Sequence, residues 1–183
     1  AAEAAEKFYI LIQNYANLTL KNIDLVDNTD HIQYVLSNNS GTTAIKDTTN
    51  ITTDAVAFDV YDYTSGGYAV PTVNVNTTGV ISGDIEVSES IQDNLIINSG
   101  TYTMDVTEWC AEGLTAEPDG NGNYTIVTGT TFIDGQFTSY NNAQDKKVKY
   151  IRYERTVGTT WTPLYVPFEI PAEKLLSAGF EVG

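Results

Sequence analysis

NLIINSGTYTMDVTEWCAEGLTAEPDGNGNYTIV, residues 94–127, holds two textures side by side. Leu95-Ile96-Ile97 is the kind of apolar run that forms a buried strand. Asn98-Ser99-Gly100 reads as a turn, and Thr101-Tyr102-Thr103 as a second short strand. From Val106 the period changes. Val106, Trp109, Cys110 and Leu114 recur at three- and four-residue spacings, with Gly113 near the end, which predicts one short helix. Thr115–Glu117 and Tyr124–Val127 flank Asp119-Gly120-Asn121-Gly122 and predict a hairpin.

The first of these textures repeats upstream. Leu95, Ile97, Gly100 and Tyr102 stand at relative positions 0, 2, 5 and 7 around Asn98-Ser99; Val73, Val75, Thr78 and Val80 do the same around Asn76-Thr77. Leu18, Leu20, Ile23 and Leu25 repeat it around Lys21-Asn22, and Thr43, Ile45 and Ile51 form a copy with one extra residue. Each copy reads as a strand of period two, a tight polar corner and another strand. Further strands are expected at Phe8–Ile12, Ile32–Leu36, Val56–Tyr63 and Ile81–Val87. Copies recurring at roughly 20 to 30 residues lie in the range of solenoid coils. The expected fold is therefore all-β, a right-handed parallel β-helix, with a β-sandwich of short strands as the competing architecture.

A solenoid's last coil exposes an apolar cross-section and unpaired strand edges, so the helix-like piece and hairpin read as its lid. Trp109, Leu114, Tyr124 and Ile126 are the side chains expected to cover it. Residues 1–127 are thus read as coils plus a cap over about 104–127, and 128–183 as a separate β-rich, sandwich-like module that looks incomplete. That module gathers Lys146, Lys147, Lys149, Arg152 and Arg155. It offers strands at Val148–Glu154 and Leu164–Ile170, the second limited by Pro163, Pro167 and Pro171, and a helical turn at Ala172–Leu176.

Composition bounds the function. The 183 residues carry a net charge of −15, and no Lys or Arg occurs between Lys46 and Lys146. Binding a phosphate backbone needs cations that replace counterions, so nucleic acid is an unfavourable partner, and anionic membrane surfaces are disfavoured alike. Cys110 stands alone, which excludes an internal disulfide and a multi-cysteine zinc site. No run approaches the ~18 apolar residues of a membrane span. The start, AAEAAEKF, has neither the basic end nor the apolar core of a signal peptide.

The runs LTLKNIDL, YVLSNNSGTTAI, TTNIT and AVAFDVYDY between Leu18 and Tyr63 resemble the β-helical repeats of large surface proteins of gut Firmicutes and Bacteroidetes. VNTTGVISGDIEVS and the 94–127 stretch are similar to the coil-and-terminator pattern of those proteins. Tyr102 stands there where Phe is common, and Leu114 where Tyr is common. YIRYERTVGTTWTPLYVPFEIPAE looks like the start of a small β-rich domain in Bacteroidetes secreted proteins. The resemblance implies a bacterial cell-surface or secreted segment of structural or adhesive type, an elongated spacer or adhesin stalk. It carries no catalytic residues.

A few residue groups are candidate sites. Tyr61, Tyr63 and Tyr68 lie beside Gly66-Gly67 and form the expected carbohydrate-contact patch, since aromatic faces stack on sugars; packing among β edges is the competing reading. Asp119, Asn121 and Asn123 alternate with glycine like the start of a Ca²⁺ loop, but the twelfth position is Thr130 rather than a bidentate Glu, which favours a plain turn. Asp59 with Asp62, and Asp84 with Glu86, are weaker Ca²⁺ pairs. No other cofactor is expected. Asn28-Thr29-Asp30-His31 resembles part of a polygalacturonase set but lacks its companion Asp pair and downstream basic residues. Arg152 and Arg155 lie outside the coils, so lyase chemistry is unfavourable too. The chain reads as non-catalytic. A host or bacterial glycan or surface protein is the expected partner, with self-association through solenoid ends or edge strands as a further alternative. A carbohydrate-binding module, a polysaccharide-degrading enzyme and an extracellular filament subunit are the other functional readings.

Overall fold

A computed structural model describes residues 9–27, 32–133, 150–154 and 172–177. Residues 9–27 and 32–133 together hold a β-solenoid of about four turns. Eleven strands are described: β1 (Ile10–Asn14), β2 (Leu18–Lys21), β3 (Asp24–Val26), β4 (Tyr34–Asn38), β5 (Thr42–Asp47), β6 (Asn50–Val60), β7 (Thr72–Val87), β8 (Leu95–Tyr102), β9 (Leu114–Pro118), β10 (Tyr124–Ile133) and β11 (Tyr150–Glu154). The chain divides into two compact units, Ala1–Thr130 with Lys147–Ile151, and Thr131–Lys146 with Arg152–Gly183. A short helix α1 (Ala172–Ser177) is the described element of the second unit besides the ends of β10 and β11.

Three parallel ladders make the solenoid's three faces. On the first face β1 pairs with β4, β4 with the second half of β6, and β6 with the end of β7, so that Ile12, Leu36, Phe58 and Ile85 stack. On the second, β2, β5, the start of β7 and β8 pair in order, stacking Leu18, Thr43, Val73 and Leu95, then Leu20, Ile45, Val75 and Ile97. On the third, Leu25, Ile51, Ile81 and Tyr102 stack. Parallel pairing between successive coils rules out the sandwich. Most members of these columns are fully buried, and burying each Val, Leu or Ile stabilises by about 1.5–3 kcal/mol.

The long strands bend rather than stop at corners. β7 runs through all three faces, turning at Gly83, whose φ of 122° is open to glycine alone and whose Cβ would meet Thr53 Cγ2 at 2.6 Å. Asn98–Gly100, expected as a separate turn, likewise lies inside the continuous β8.

Two positions of the sequence repeat differ from expectation. Ile23, at offset 5, is 39% exposed, and Thr78 is exposed as well. In the coil holding Val73 the fourth buried residue is Ile81, not Val80, which is 42% exposed. Five residues separate the second- and third-face columns in coils one and four, and six in coils two and three. One added corner residue flips the side-chain parity of the strand beyond it.

The last coil is closed by the chain that leaves it. The helix expected over Val106–Leu114 is only a 3₁₀ turn, Thr107–Trp109, because Cys110 pairs with Ile97 and Ala111 N–H donates to the Ile97 carbonyl (2.8 Å). Asp105 Oδ1 starts the turn by accepting from Thr107 N–H and Oγ1. Trp109 is buried, and its Nε1 donates to Gln92 Oε1 (2.8 Å). The β9–β10 hairpin forms as expected and lays Tyr124 and Thr125 antiparallel against Tyr102 and Thr101 of β8. Tyr124 and Ile126 pack partly buried against the core, while Leu114 is only half-buried. Of the elements expected after 127, Val148–Glu154 corresponds to β11 and Ala172–Leu176 to α1. Leu164–Ile170 lies outside the described residues.

Candidate functional site

Corner lengths single out one place on the solenoid. Between the first-face and second-face columns, coil one spends three residues (15–17), coil two four (39–42), coil four seven (88–94) and coil three twelve (61–72). Insertions in one coil of a repeat structure project from one face, frequently the binding face. The coil-three insertion carries Tyr61, Tyr63 and Tyr68.

The loop is held at both ends. Asp62 N–H donates to Ser88 Oγ (3.0 Å), Asp62 Oδ1 accepts from Thr64 N–H (3.1 Å) and Oγ1 (2.7 Å), and Oδ2 accepts from Ser90 Oγ (2.7 Å). These bonds, that of the Thr64 hydroxyl foremost, hold the Asp62 carboxyl below the usual carboxylate range. A 3₁₀ turn at Thr64–Gly66 comes next, closed by Gly67 in the left-handed region at φ 82°. At the far end Thr72 N–H donates to the Gly41 carbonyl (2.9 Å), and Asn94 Nδ2 to the Pro71 carbonyl (2.7 Å).

The three tyrosines come together and recruit a fourth. Tyr63 and Tyr68 stack with ring centroids 5.5 Å apart and planes 15° apart. Tyr15, from coil one, lies 4.7 Å from Tyr68 and 6.3 Å from Tyr63, and Tyr61 lies 6.1 Å from Tyr63. Gly66 makes room for this: a Cβ there would sit 2.6 Å from the Tyr63 ring. Desolvation, with Tyr63 and Tyr68 alongside, raises the Tyr15 phenol, whose hydroxyl accepts from Gln13 Nε2 (2.8 Å). Tyr15, Tyr61 and Tyr68 remain 37%, 48% and 43% exposed. The rings therefore pack on one another and still present a surface.

Tyr15 is the member that sequence reading missed. Asn39 N–H donates to the Asn14 carbonyl, Tyr61 N–H to the Asn38 carbonyl and Ser88 N–H to the Val60 carbonyl. Residues 15, 39, 61 and 88 therefore occupy one corner position in successive coils. Tyr15 and Tyr61 are register equivalents, a relation visible only once corner lengths are known.

The Asp119 turn is satisfied from within. Asp119 Oδ1 accepts from Asn121 N–H (2.7 Å) and Asn123 N–H (3.0 Å), and Oδ2 from Asn123 Nδ2 (3.2 Å). Those bonds lower its pKa and direct donors, not further oxygens, at the carboxylate; the group ties the hairpin turn. Asp59 and Asp62 do not share a face: Asp59 lies in β6 and is buried, while Asp62 lies beyond its end. Asp59 accepts from Ser37 Oγ (3.1 Å) and Asn38 N–H (2.9 Å) and pairs across the ladder with Glu86. Glu86 in turn accepts from the Tyr34 hydroxyl (3.1 Å), and burial, with that hydrogen bond, pushes the Tyr34 phenol up to about 12. Burial and the Asp105 charge push the Cys110 thiol up to about 12, so at neutral pH it is a protonated, unreactive group. His31 and Arg155 lie outside the described residues, as does the side chain of Arg152. Among the described residues no group of three or more His, Cys, Asp or Glu is arranged to hold a metal ion. No helix there is long and apolar enough to cross a membrane.

Comparison of the chain with protein-family models, with curated proteins and with solved structures finds no match.

Proposed function

We propose that the chain is a non-catalytic adhesive segment of an extracellular, bacterial cell-surface protein, in which the solenoid is a rigid frame for the tyrosine-bearing corner. The observation that carries this reading is the twelve-residue corner of coil three. It is tied down at both ends, yet it leaves aromatic rings in solvent. Magnitude favours presentation over reach. Four coils at a strand spacing of about 4.8 Å advance only about 15 Å from first to last. A spacer role for these coils alone is correspondingly modest.

A glycan is the ligand class that such a patch suits, because half-exposed tyrosines offer an apolar face and a polar rim together. The experiment is a glycan array probed with the wild-type chain and with a Tyr61→Ala/Tyr63→Ala double variant. Binding to a defined set of glycans by the wild type and its loss in the variant supports the reading. Silence on every glycan returns the segment to a purely structural role. Release of reducing or unsaturated sugar ends from the bound glycans would make it an enzyme instead.

A further inference from the structure

We propose that the tyrosine corner binds a neutral, extended polysaccharide lying along the solenoid axis, and that Tyr15 belongs to the site. This deepens the glycan reading above and rests on it.

The direction comes from register. Tyr15 and Tyr61 hold the same corner position two coils apart, which is about 9.6 Å along the axis and spans about two pyranose rings end to end. Tyr63 lies between them, 6.1 Å from one ring and 6.3 Å from the other, with Tyr68 packed against Tyr15 and Tyr63. The contacts Tyr15–Tyr63–Tyr61 thus make a row of mutually tilted rings along that span, and rings distributed along it suit a linear ligand better than a single sugar.

Ligand charge is set by what the corner carries. The sequence has no Lys or Arg between Lys46 and Lys146, so neither the loop nor the corner segment 88–94 offers a cation, and 15–17 and 39–42 carry none either. Asp62, Glu89 and Asp93 lie in those segments instead. A uronic-acid or sulfated polymer would bring like charge to an acidic corner. A cationic ligand is disfavoured by geometry. Centroid separations of 4.7, 5.5 and 6.3 Å among Tyr15, Tyr68 and Tyr63 leave no open centre in which rings could surround an ammonium group. Both oxygens of the loop's carboxylate, Asp62, are already taken by Thr64 and Ser90. What remains is a cluster of half-exposed rings, tilted 33° to 57° to one another apart from the stacked Tyr63–Tyr68 pair, whose apolar faces and hydroxyl rims suit an uncharged sugar ring.

Preorganisation makes such a cluster useful. Side chains already packed on one another, over a loop closed by Asp62, Gly66 and Gly67, lose little further freedom when a ligand arrives.

The test is calorimetric titration of the whole chain with neutral β-linked mono- to hexasaccharides, with oligogalacturonates and with oligolysine, at low and moderate salt. The expected result is affinity that climbs from monosaccharide to trisaccharide and then levels. It is indifferent to salt and weakened about tenfold or more by Tyr15→Ala and by Tyr63→Ala. Circular dichroism of each variant establishes that it folds, and Tyr15→Phe, which keeps the ring, retains most of the binding. Oligogalacturonates binding as well as neutral sugars, or affinity that tracks ionic strength, would overturn the charge assignment while leaving a glycan site in place. Equal affinity for mono- and hexasaccharide would overturn the axial row. Binding of oligolysine alone would replace the ligand class. No carbohydrate binding at all removes the glycan reading and this inference together.

Discussion

Asp59 shows what one buried side chain contributes to this fold. It is 8% exposed, in a parallel ladder between Ser37 of the coil before and Glu86 of the coil after. Burial raises its pKa from 3.8 to about 6, and the Glu86 charge adds to that, outweighing the hydrogen bonds from Ser37 and Asn38 that favour the ionised form. Because the folded value lies above the unfolded one, the native state binds more protons between them. The contribution to stability is complete below the unfolded pKa and is lost as pH rises through about 6. Asp59→Asn keeps an oxygen for Asn38 N–H and gives Ser37 a donor to accept from. The variant is expected to be more stable than wild type at about pH 8, by on the order of 2–3 kcal/mol, and close to it at about pH 4. Urea melts of both proteins at the two pH values check this; a difference that does not change with pH would clear Asp59 of the linkage. Asp62 and Asp119 have lowered pKa values and act with the opposite sign, losing stability as pH falls, but they are common to both proteins and cancel in the comparison.

At the scale of the elements, the corners explain the composition. Where a strand bends, its backbone groups lose their partner in the next coil, and Asn and Thr side chains restore it. Asn17 accepts from Thr42 N–H, Asn22 from Thr48 N–H and Oγ1, and Thr77 Oγ1 donates to the Asp47 and Thr49 carbonyls. Asn50 reaches both ways, donating to Asp24 Oδ1 (2.6 Å) and accepting from Val80 N–H (2.7 Å). Asn50→Ala should cost about 1–3 kcal/mol. Gly79→Ala should cost at least as much, because its Cβ would be driven into the Thr49 carbonyl. Thermal melts against exposed Lys46→Ala, expected within about 0.5 kcal/mol of wild type, check both. These corners also mark how far the sequence could be read. The columns through Leu18, Val73 and Leu95 and through Leu20, Val75 and Ile97 were legible, because strands of period two announce which side faces in. The far side of the corner was not: five or six residues fit there equally well by composition, and the choice decides whether Val80 or Ile81 is buried. The same ambiguity hid Tyr15. Tyr61, Tyr63 and Tyr68 are neighbours in the chain and could be grouped by eye. Tyr15 joins them only through a register that depends on every intervening corner length.

At the scale of the whole solenoid unit, the difficulty is its end. Each coil is satisfied by its neighbours, so the last one leaves a free strand edge and an apolar cross-section, and either invites pairing with another chain. Here β10 occupies part of the β8 edge antiparallel, and Trp109 and Val106 join the buried core beside Ile97 and Tyr102. Trp109 is the largest of the cap's buried side chains and is tied by its indole N–H to Gln92, in the corner of coil four. Trp109→Ala is expected to cost about 3–5 kcal/mol, the range for removing a buried aromatic. It should also turn the molecule towards association, since loosening the cap exposes the interior that the hairpin alone covers only partly. Trp109→Phe should recover most of the stability, losing chiefly the hydrogen bond to Gln92. Urea unfolding monitored together with light scattering across a range of concentrations separates the two consequences. A Trp109→Ala protein that is only slightly destabilised and stays monodisperse would mean that the hairpin closes the solenoid unaided. If instead the variant assembles while still folded, the cap is what keeps these coils from pairing end to end. Self-association through the solenoid end would then be a property the wild-type sequence holds in check.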